Sequence, residues 1–335
     1  MNHPTEKSLA DRLGRVHTNL RISVTDRCNI RCFYCMPAED VTFRPREELL
    51  TFEEIERFVR DLVPLGINKL RLTGGEPLVR KDLPSLVGRL SEVPGIGDLA
   101  LTTNGLLLEE QATELRKAGL HRLNVSLDAL SEKTFQHITR RTGLQKVLDG
   151  IYAAQLAGFQ RIRLNTVAIQ GLTEAEVVPL AEFSRAHGLE LRFIEFMPLD
   201  ADNQWNENRV LTGDALRRIL EEAFCPLRPR ERSDPSQPAV DYTFADGKGN
   251  IGFINPVSEP FCSNCNRLRL TADGQVRNCL FSSVEWDARA LLRGGGSEQE
   301  IQQLVRDCVA AKQPAHGIGA ADFQKPERAM YQIGG

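Results

Sequence analysis

The stretch "NLRISVTDRCNIRCFYCMP", residues 19–37, decides the fold and announces the chemistry. Its opening alternates, with Leu20, Ile22 and Val24 on one face and Arg21 and Ser23 on the other, which is the period of a strand. Cys28, Cys32 and Cys35 follow at once, spaced C-x3-C-x2-C. Thiols placed just after a strand lie at the C-terminal edge of a sheet, where βα-barrel sites are built. Three thiols are one short of the usual set for a structural zinc or an ordinary iron–sulfur cube. Either a fourth ligand lies elsewhere, or three thiolates hold three irons of a [4Fe–4S] cluster and leave the fourth open to a small molecule.

Working outward, the same strand pattern returns in "KLRLTGG", "DLALTTNG", "RLNVSLDA", "RIRLNTVAI" and "ELRFIEFM", separated by helical stretches such as "TFEEIERFVRDLVPLG" and "AEVVPLAEFSRAHG". Six βα repeats predict a parallel sheet, two repeats short of a complete TIM barrel. Parallel strands covered by helices should be apolar on both faces. Here one face is repeatedly polar: Lys69, Arg71 and Thr73; Thr102 and Asn104; Asn124, Ser126 and Asp128; Arg163 and Asn165. These side chains converge on the inner surface and predict an open barrel whose lumen holds a charged ligand. The fold expected is therefore α/β, an incomplete (βα)6 TIM-type barrel over residues 1–200. A C-terminal region, residues 201–335, of short strands and helices covers the open side. Within it, "PLRPRERSDPSQPAVD" reads as a surface loop, "RLRLTADGQVR" as a hairpin and "EIQQLVRDCVAAK" as a helix.

Composition sets the outer bounds. The chain has 335 residues, 41% hydrophobic and 26% charged, with a net charge of −3, so no general attraction to nucleic acid or anionic membrane follows. No apolar run reaches the roughly 18 residues of a spanning helix, and "MNHPTEKSLADRLGR" lacks a signal peptide's apolar core. A cytoplasmic protein is expected, with its 8 cysteines reduced rather than paired in disulfides. A second triplet, Cys262, Cys265 and Cys279, is spaced C-x2-C-x13-C; Cys225 and Cys308 stand apart. That triplet is open to two readings: a second cluster, or a zinc completed by Cys225 or Cys308. Arg267 and Arg269 share a strand face beside it and suit phosphate or carboxylate.

The cysteine run, followed by "TGGEP" (residues 73–77) after the second strand, resembles the signature of the radical S-adenosylmethionine superfamily. Two adjacent glycines leave backbone bare for close approach of a ligand amine. The resemblance implies that Cys28, Cys32 and Cys35 hold a [4Fe–4S] cluster whose open iron binds S-adenosylmethionine, with Tyr34, Gly75, Ser126 and Met197 at cofactor-contacting positions. With both triplets, "LTTNG", "NVSLDAL", "RFIEFMP", "FCSNCNRLRLTADG" and the closing Gly334-Gly335, nearly the whole chain resembles the GTP 3′,8-cyclase family of molybdenum cofactor biosynthesis. That resemblance implies a second [4Fe–4S] cluster on Cys262, Cys265 and Cys279, and GTP between the clusters. By the same resemblance GTP meets Arg21, Arg71, Thr102, Arg163 and the segment Arg267-Leu268-Arg269, with Lys69 and Arg192 added for the triphosphate. No side chain is implied as a catalyst; the adenosyl radical carries the chemistry, and the Gly334-Gly335 tail supports it inside the site. An external electron donor, transfer of the product to cyclic pyranopterin monophosphate synthase and a homodimer belong to the same implication. Arg163 stands where that family often has lysine, replacing a point donor by a planar fork. Two alternatives remain: a peptide-modifying relative with an auxiliary cluster, and a non-catalytic electron carrier or zinc-stabilised module.

Overall fold

The structure, a computed structural model, describes residues 8–232 and 234–334. All six strands expected in the first half form: β1 (Asn19–Ser23), β2 (Lys69–Thr73), β3 (Asp98–Thr103), β4 (Arg122–Ser126), β5 (Ile162–Ala168) and β6 (Glu190–Glu195). They pair in sequence order and all parallel. Helices α1 (Phe52–Leu62), α2 (Leu83–Ser91), α3 (Leu108–Lys117), α4 (Glu132–Thr139), α5 (Leu144–Leu156) and α6 (Glu174–Ala186) fill the connections. The apolar strand face packs on them: Leu20, Ile22, Leu70, Leu72, Leu99, Leu101, Leu123 and Leu164 are buried with Ile55, Phe58 and Val59 of α1. Each such side chain contributes about 1.5–3 kcal/mol by leaving water. Burial on that face fixes which side chains must point the other way.

After α7 (Gly213–Ala223) the C-terminal strands are β7 (Leu227–Pro229), β8 (Val240–Phe244), β9 (Asn250–Ile254), β10 (Arg267–Leu270), β11 (Gln275–Arg277) and β12 (Trp286–Asp287). They do more than cover an opening, because they extend both free edges of the barrel sheet. β10 lies parallel to β1 and β9 parallel to β6, giving the order β12-β11-β10-β1-β2-β3-β4-β5-β6-β9-β8-β7. The physical reason is that a parallel sheet ending at β1 and β6 leaves two rows of unpaired backbone groups, which further strands satisfy. The segment read as a surface loop, residues 226–241, differs in part from that expectation. It contains β7 and the start of β8, and its Asp234 pairs with Lys69 at 2.6 Å.

Helices α8 (Ala288–Arg293), α9 (Glu298–Ala310) and α10 (Met330–Ile333) complete the chain. The tail is seated in the molecule. Arg328 reaches Asp273 with two bonds of 3.0 Å and Glu285 at 2.8 Å, and Tyr331 and Ile333 are buried. Gly334 has φ 88°, and a Cβ there would lie 2.8 Å from Ser23 Cβ, so the chain end reaches the ends of β1 and β2 only as glycine. Gly335 lies outside the described residues. Arg328→Ala leaves both carboxylates with other partners, Arg44 for Asp273 and Arg277 for Glu285. It should therefore cost only about 1–2 kcal/mol of stability, yet speed carboxypeptidase trimming of the tail severalfold. Unchanged trimming would show that the buried Tyr331 and Ile333 hold the tail without it.

Candidate active site

Strand register, set by backbone hydrogen bonds, aligns the inward side chains in rows. Arg269, Arg21 and Arg71 are direct neighbours across β10, β1 and β2, and Arg267, Asn19 and Lys69 form the next row. All six line one cavity of about 730 Å³. Burial, then repulsion from Arg71, Arg269 and Arg267, pulls Arg21 well below the ordinary arginine value; burial, then Arg122, Arg163 and Arg192, brings Arg71 down to about 9. The Nε atoms of Arg21 and Arg71 are buried without a hydrogen-bond partner. Several cations elsewhere on the wall are neutralised: Arg163 by Glu190 at 2.6 Å, Arg192 by Asp241 at 3.4 Å and Lys69 by Asp234. Uncompensated buried charge costs several kcal/mol, so the row of arginines has the chemistry to receive a multiply charged anion.

The first triplet sits on the loop after β1. Phe33 of that loop packs with Ile138, Ile169 and Phe196, and its amide donates to the Ile138 carbonyl at 3.1 Å, anchoring the loop to α4. Cys28, Cys32 and Cys35 all line the cavity. Burial pushes Cys28 up to about 11 and holds Cys32 well above the usual thiol value, with Asp128 adding to it; Cys35 is raised by burial too. These thiols would give up protons to bind metal, as thiolate ligands do. The Tyr331 amide donates to the Cys35 sulfur, so the tail touches this triplet. Gly74 and Gly75 pack against the same loop. A Cβ on Gly75 would meet the Arg27 carbonyl oxygen and lie 2.6 Å from that of Asp26. The glycines of "TGGEP" are thus required for backbone-to-backbone packing that holds the cysteine loop, whatever ligand also reaches them.

The second triplet faces the first across the cavity. β10 begins two residues after Cys265 and β11 ends two before Cys279, so the hairpin returns Cys279 beside the C-x2-C pair. Arg15 clamps this corner, donating to the carbonyls of Cys262, Pro314 and Gln313 at 2.9–3.1 Å while paired with Asp11. Burial alone would raise Cys265, but Arg267 and Lys312 outweigh it and bring the thiol down to about 6. Neither Cys225 nor Cys308 reaches the cavity; Cys308 is buried on α9 and Cys225 packs on the core. His316 does line the cavity, but its Nδ1 accepts from the Ile318 amide and its Nε2 faces the Pro256 carbonyl oxygen at 2.8 Å. Among the described residues, no three such donors close around a single ion. Each triplet instead borders open cavity, an arrangement that fits a multinuclear cluster better than one tetrahedral zinc.

Of the residues singled out in the sequence, Tyr34, Gly75, Ser126, Met197, Arg21, Lys69, Arg71, Thr102, Arg163, Arg192, Arg267 and Arg269 all line this cavity with the six cysteines. Leu268 does not: the register turns its side chain into the core, where it is fully buried. Gly334 meets the site through its carbonyl oxygen, which accepts from Arg269. Sequence reading missed several members. Glu76 accepts from Thr103 Oγ1 and the Asn104 amide, both at 2.7 Å, while burial lifts it to about 7. Asp128, noted only as a polar lumen residue, accepts from Tyr34 Oη at 2.6 Å and the Val167 amide at 2.8 Å. Arg122 shares the alternating face of Asn124 and Ser126 on β4 and could have been read from it, whereas Asp234 and Lys312 carry no local signal, because their place in the wall comes from distant segments.

Residues 22–184 match the model of the radical SAM superfamily, and residues 189–318 that of Molybdenum Cofactor Synthesis C. The GTP 3′,8-cyclase of Rhodopirellula baltica is 54% identical over 331 residues, covering 98% of this chain and 92% of that one. That of Mycolicibacterium smegmatis is 44% identical over 339 residues, covering 99% and 93%. Among solved structures, Streptococcus suis SuiB bound to precursor peptide SuiA superposes with TM-score 0.62 at 15% identity, over 92% of this chain and 68% of that one, a likeness of fold alone.

Asp128 offers a test of the site's electrostatics. Burial raises it from 3.8 to about 6 against the pull of Tyr34 and Val167. A carboxyl raised on folding contributes fully below its unfolded value, and that contribution is lost as pH rises through the folded one. Asp128→Asn cannot ionise, so its stability relative to the parent should improve by about 2–3 kcal/mol between pH 4 and pH 7, read by urea unfolding at matched iron content. A gap that stays constant with pH would mean that Asp128 ionises as an ordinary carboxyl.

Proposed function

The chain belongs to the GTP 3′,8-cyclase family of radical S-adenosylmethionine enzymes, and from that membership we infer how its cavity divides the work. The enzyme converts GTP to (8S)-3′,8-cyclo-7,8-dihydroguanosine 5′-triphosphate in molybdenum cofactor biosynthesis, using S-adenosylmethionine and a [4Fe–4S] cluster. When bound, these cofactors supply an adenosyl radical that removes hydrogen from the ribose 3′-carbon.

Cys28, Cys32 and Cys35 are the ligands of that cluster in this reading, with Tyr34, Gly75, Ser126 and Met197 around S-adenosylmethionine. Cys262, Cys265 and Cys279 hold a second [4Fe–4S] cluster. GTP lies between, its triphosphate on Arg21, Arg71, Arg163, Lys69 and Arg192, with Thr102, Arg267 and Arg269 completing its contacts. Leu268 is left with a backbone role, and the tail supports the site where the Gly334 carbonyl oxygen meets Arg269. The observation that carries this reading is the row of Arg269, Arg21 and Arg71, buried side by side between the two cysteine triplets. A triphosphate relieves their mutual repulsion, and holding it there orients the ribose toward the first triplet; the protein's part is positioning and exclusion of water. Residues 1–200 form the radical-generating unit and residues 201–335 the second-cluster unit. An external electron donor, a downstream cyclic pyranopterin monophosphate synthase and a cytoplasmic homodimer complete the proposed setting.

The experiment is an oxygen-free assay on reduced protein with S-adenosylmethionine, with and without GTP, quantifying 5′-deoxyadenosine and the cyclised nucleotide by mass spectrometry. Cys28→Ala should abolish deoxyadenosine formation. Arg71→Ala should raise KM for GTP by about 10²-fold, the loss of one buried charge-assisted contact of about 3 kcal/mol. Arg267→Ala should retain uncoupled cleavage and lose the GTP-dependent product. If Arg267→Ala cyclises GTP as well as the parent does, the GTP placement is wrong.

A further inference from the structure

Lys312 lies just beyond α9 with 6% of its surface exposed, on the wall beside the second cysteine triplet. Its ammonium donates to the Arg267 carbonyl oxygen at 3.0 Å and lies 3.4 Å from both the carbonyl oxygen and the sulfur of Cys265. Those three acceptors match the three hydrogens an ammonium carries, so none is left over for a phosphate. No carboxylate pairs with it among the described residues, whereas Lys69, Lys117 and Lys325 each have one. A buried ammonium needs a negative partner, and the one beside it is a cysteine sulfur. Beside the first triplet Arg31 donates to the Cys28 carbonyl oxygen at 2.7 Å, but among the described residues no cation hydrogen-bonds a sulfur there: Cys28 has the neutral Asn104 amide at 3.8 Å, and the Tyr34 hydroxyl donates to Asp128.

We propose that Lys312 is the fixed counter-ion of the second [4Fe–4S] cluster and sets its reduction potential by holding a positive charge and an N–H···S bond against Cys265. The inference rests on reading Cys262, Cys265 and Cys279 as cluster ligands. Three thiolates on a cube give net negative charge, and one-electron reduction makes it more negative. A cation held at a ligand sulfur, in a buried place where solvent screens little, favours the reduced form. Lys312 is thus a positioning and tuning residue that touches a ligand rather than the substrate.

The test uses the full chain carrying Cys28→Ser, Cys32→Ser and Cys35→Ser, so that only the second triplet can hold iron. Iron and sulfide are reconstituted without oxygen, the metal content is measured, and the cluster is titrated with dithionite while the reduced signal is followed by electron paramagnetic resonance. Lys312→Met in this background should move the midpoint negative by about 59 mV or more, a tenfold change in the oxidised-to-reduced ratio for one electron, and Lys312→Arg should recover most of it. Loss of iron in Lys312→Met with retention in Lys312→Arg would support the same counter-ion role. An unchanged midpoint in Lys312→Met, or iron lost equally from both variants, overturns it. A triple-serine parent that takes zinc or no iron overturns the second-cluster reading itself, and with it this inference, before any Lys312 variant is made.

Discussion

Three arginines side by side in a buried row, Arg269, Arg21 and Arg71, are the constraint from which the rest of the structure follows. Like charges directly opposite on neighbouring strands repel, and burial deepens the cost. They stay because the other face of the same strands holds Leu268, Leu20, Leu70, Ile22 and Leu72 in the core. A one-residue slip would exchange the two sets and bring the leucines into the cavity. Apolar burial on one face therefore holds the cations in place on the other. The register that buries the apolar face thus concentrates positive charge in the cavity, the condition that the proposed binding of a triphosphate would relieve.

Around that row the two cysteine triplets occupy opposite electrostatic settings. The first is enclosed by Phe33, Tyr34 and the carboxyl groups of Glu76 and Asp128, and its thiols are pushed up. The second lies against Arg267 and Lys312, and Cys265 is drawn down. Charge and hydrogen bonding around a thiolate sulfur tune any metal it holds, so the two triplets offer contrasting surroundings within one cavity.

The remaining chain locks these parts together at few points. Arg15 ties the N-terminal segment to the Cys262 corner and to Pro314. Arg328 ties the tail to Asp273 and Glu285, Tyr331 touches Cys35, and the Gly334 carbonyl meets Arg269. The C-terminal end thereby contacts the first triplet and the arginine row at once.

The sequence by itself determined the strands and their two faces, because alternation of polar and apolar residues is a local property of the backbone. It also singled out the two cysteine triplets, whose spacing is local, and nearly all the residues it picked line the cavity. Only the tertiary structure decided the partners. A short strand such as "RLRL" does not specify its neighbour, so β10 beside β1, and with it the third arginine of the row, was not legible. The same holds for Asp234 and Lys312, which reach the wall from segments whose local pattern reads as loop or helix. For "TGGEP" the glycines were read as bare backbone for a ligand, but the atoms that exclude a Cβ there belong to residues 25–27, a contact between two loops that no local pattern encodes.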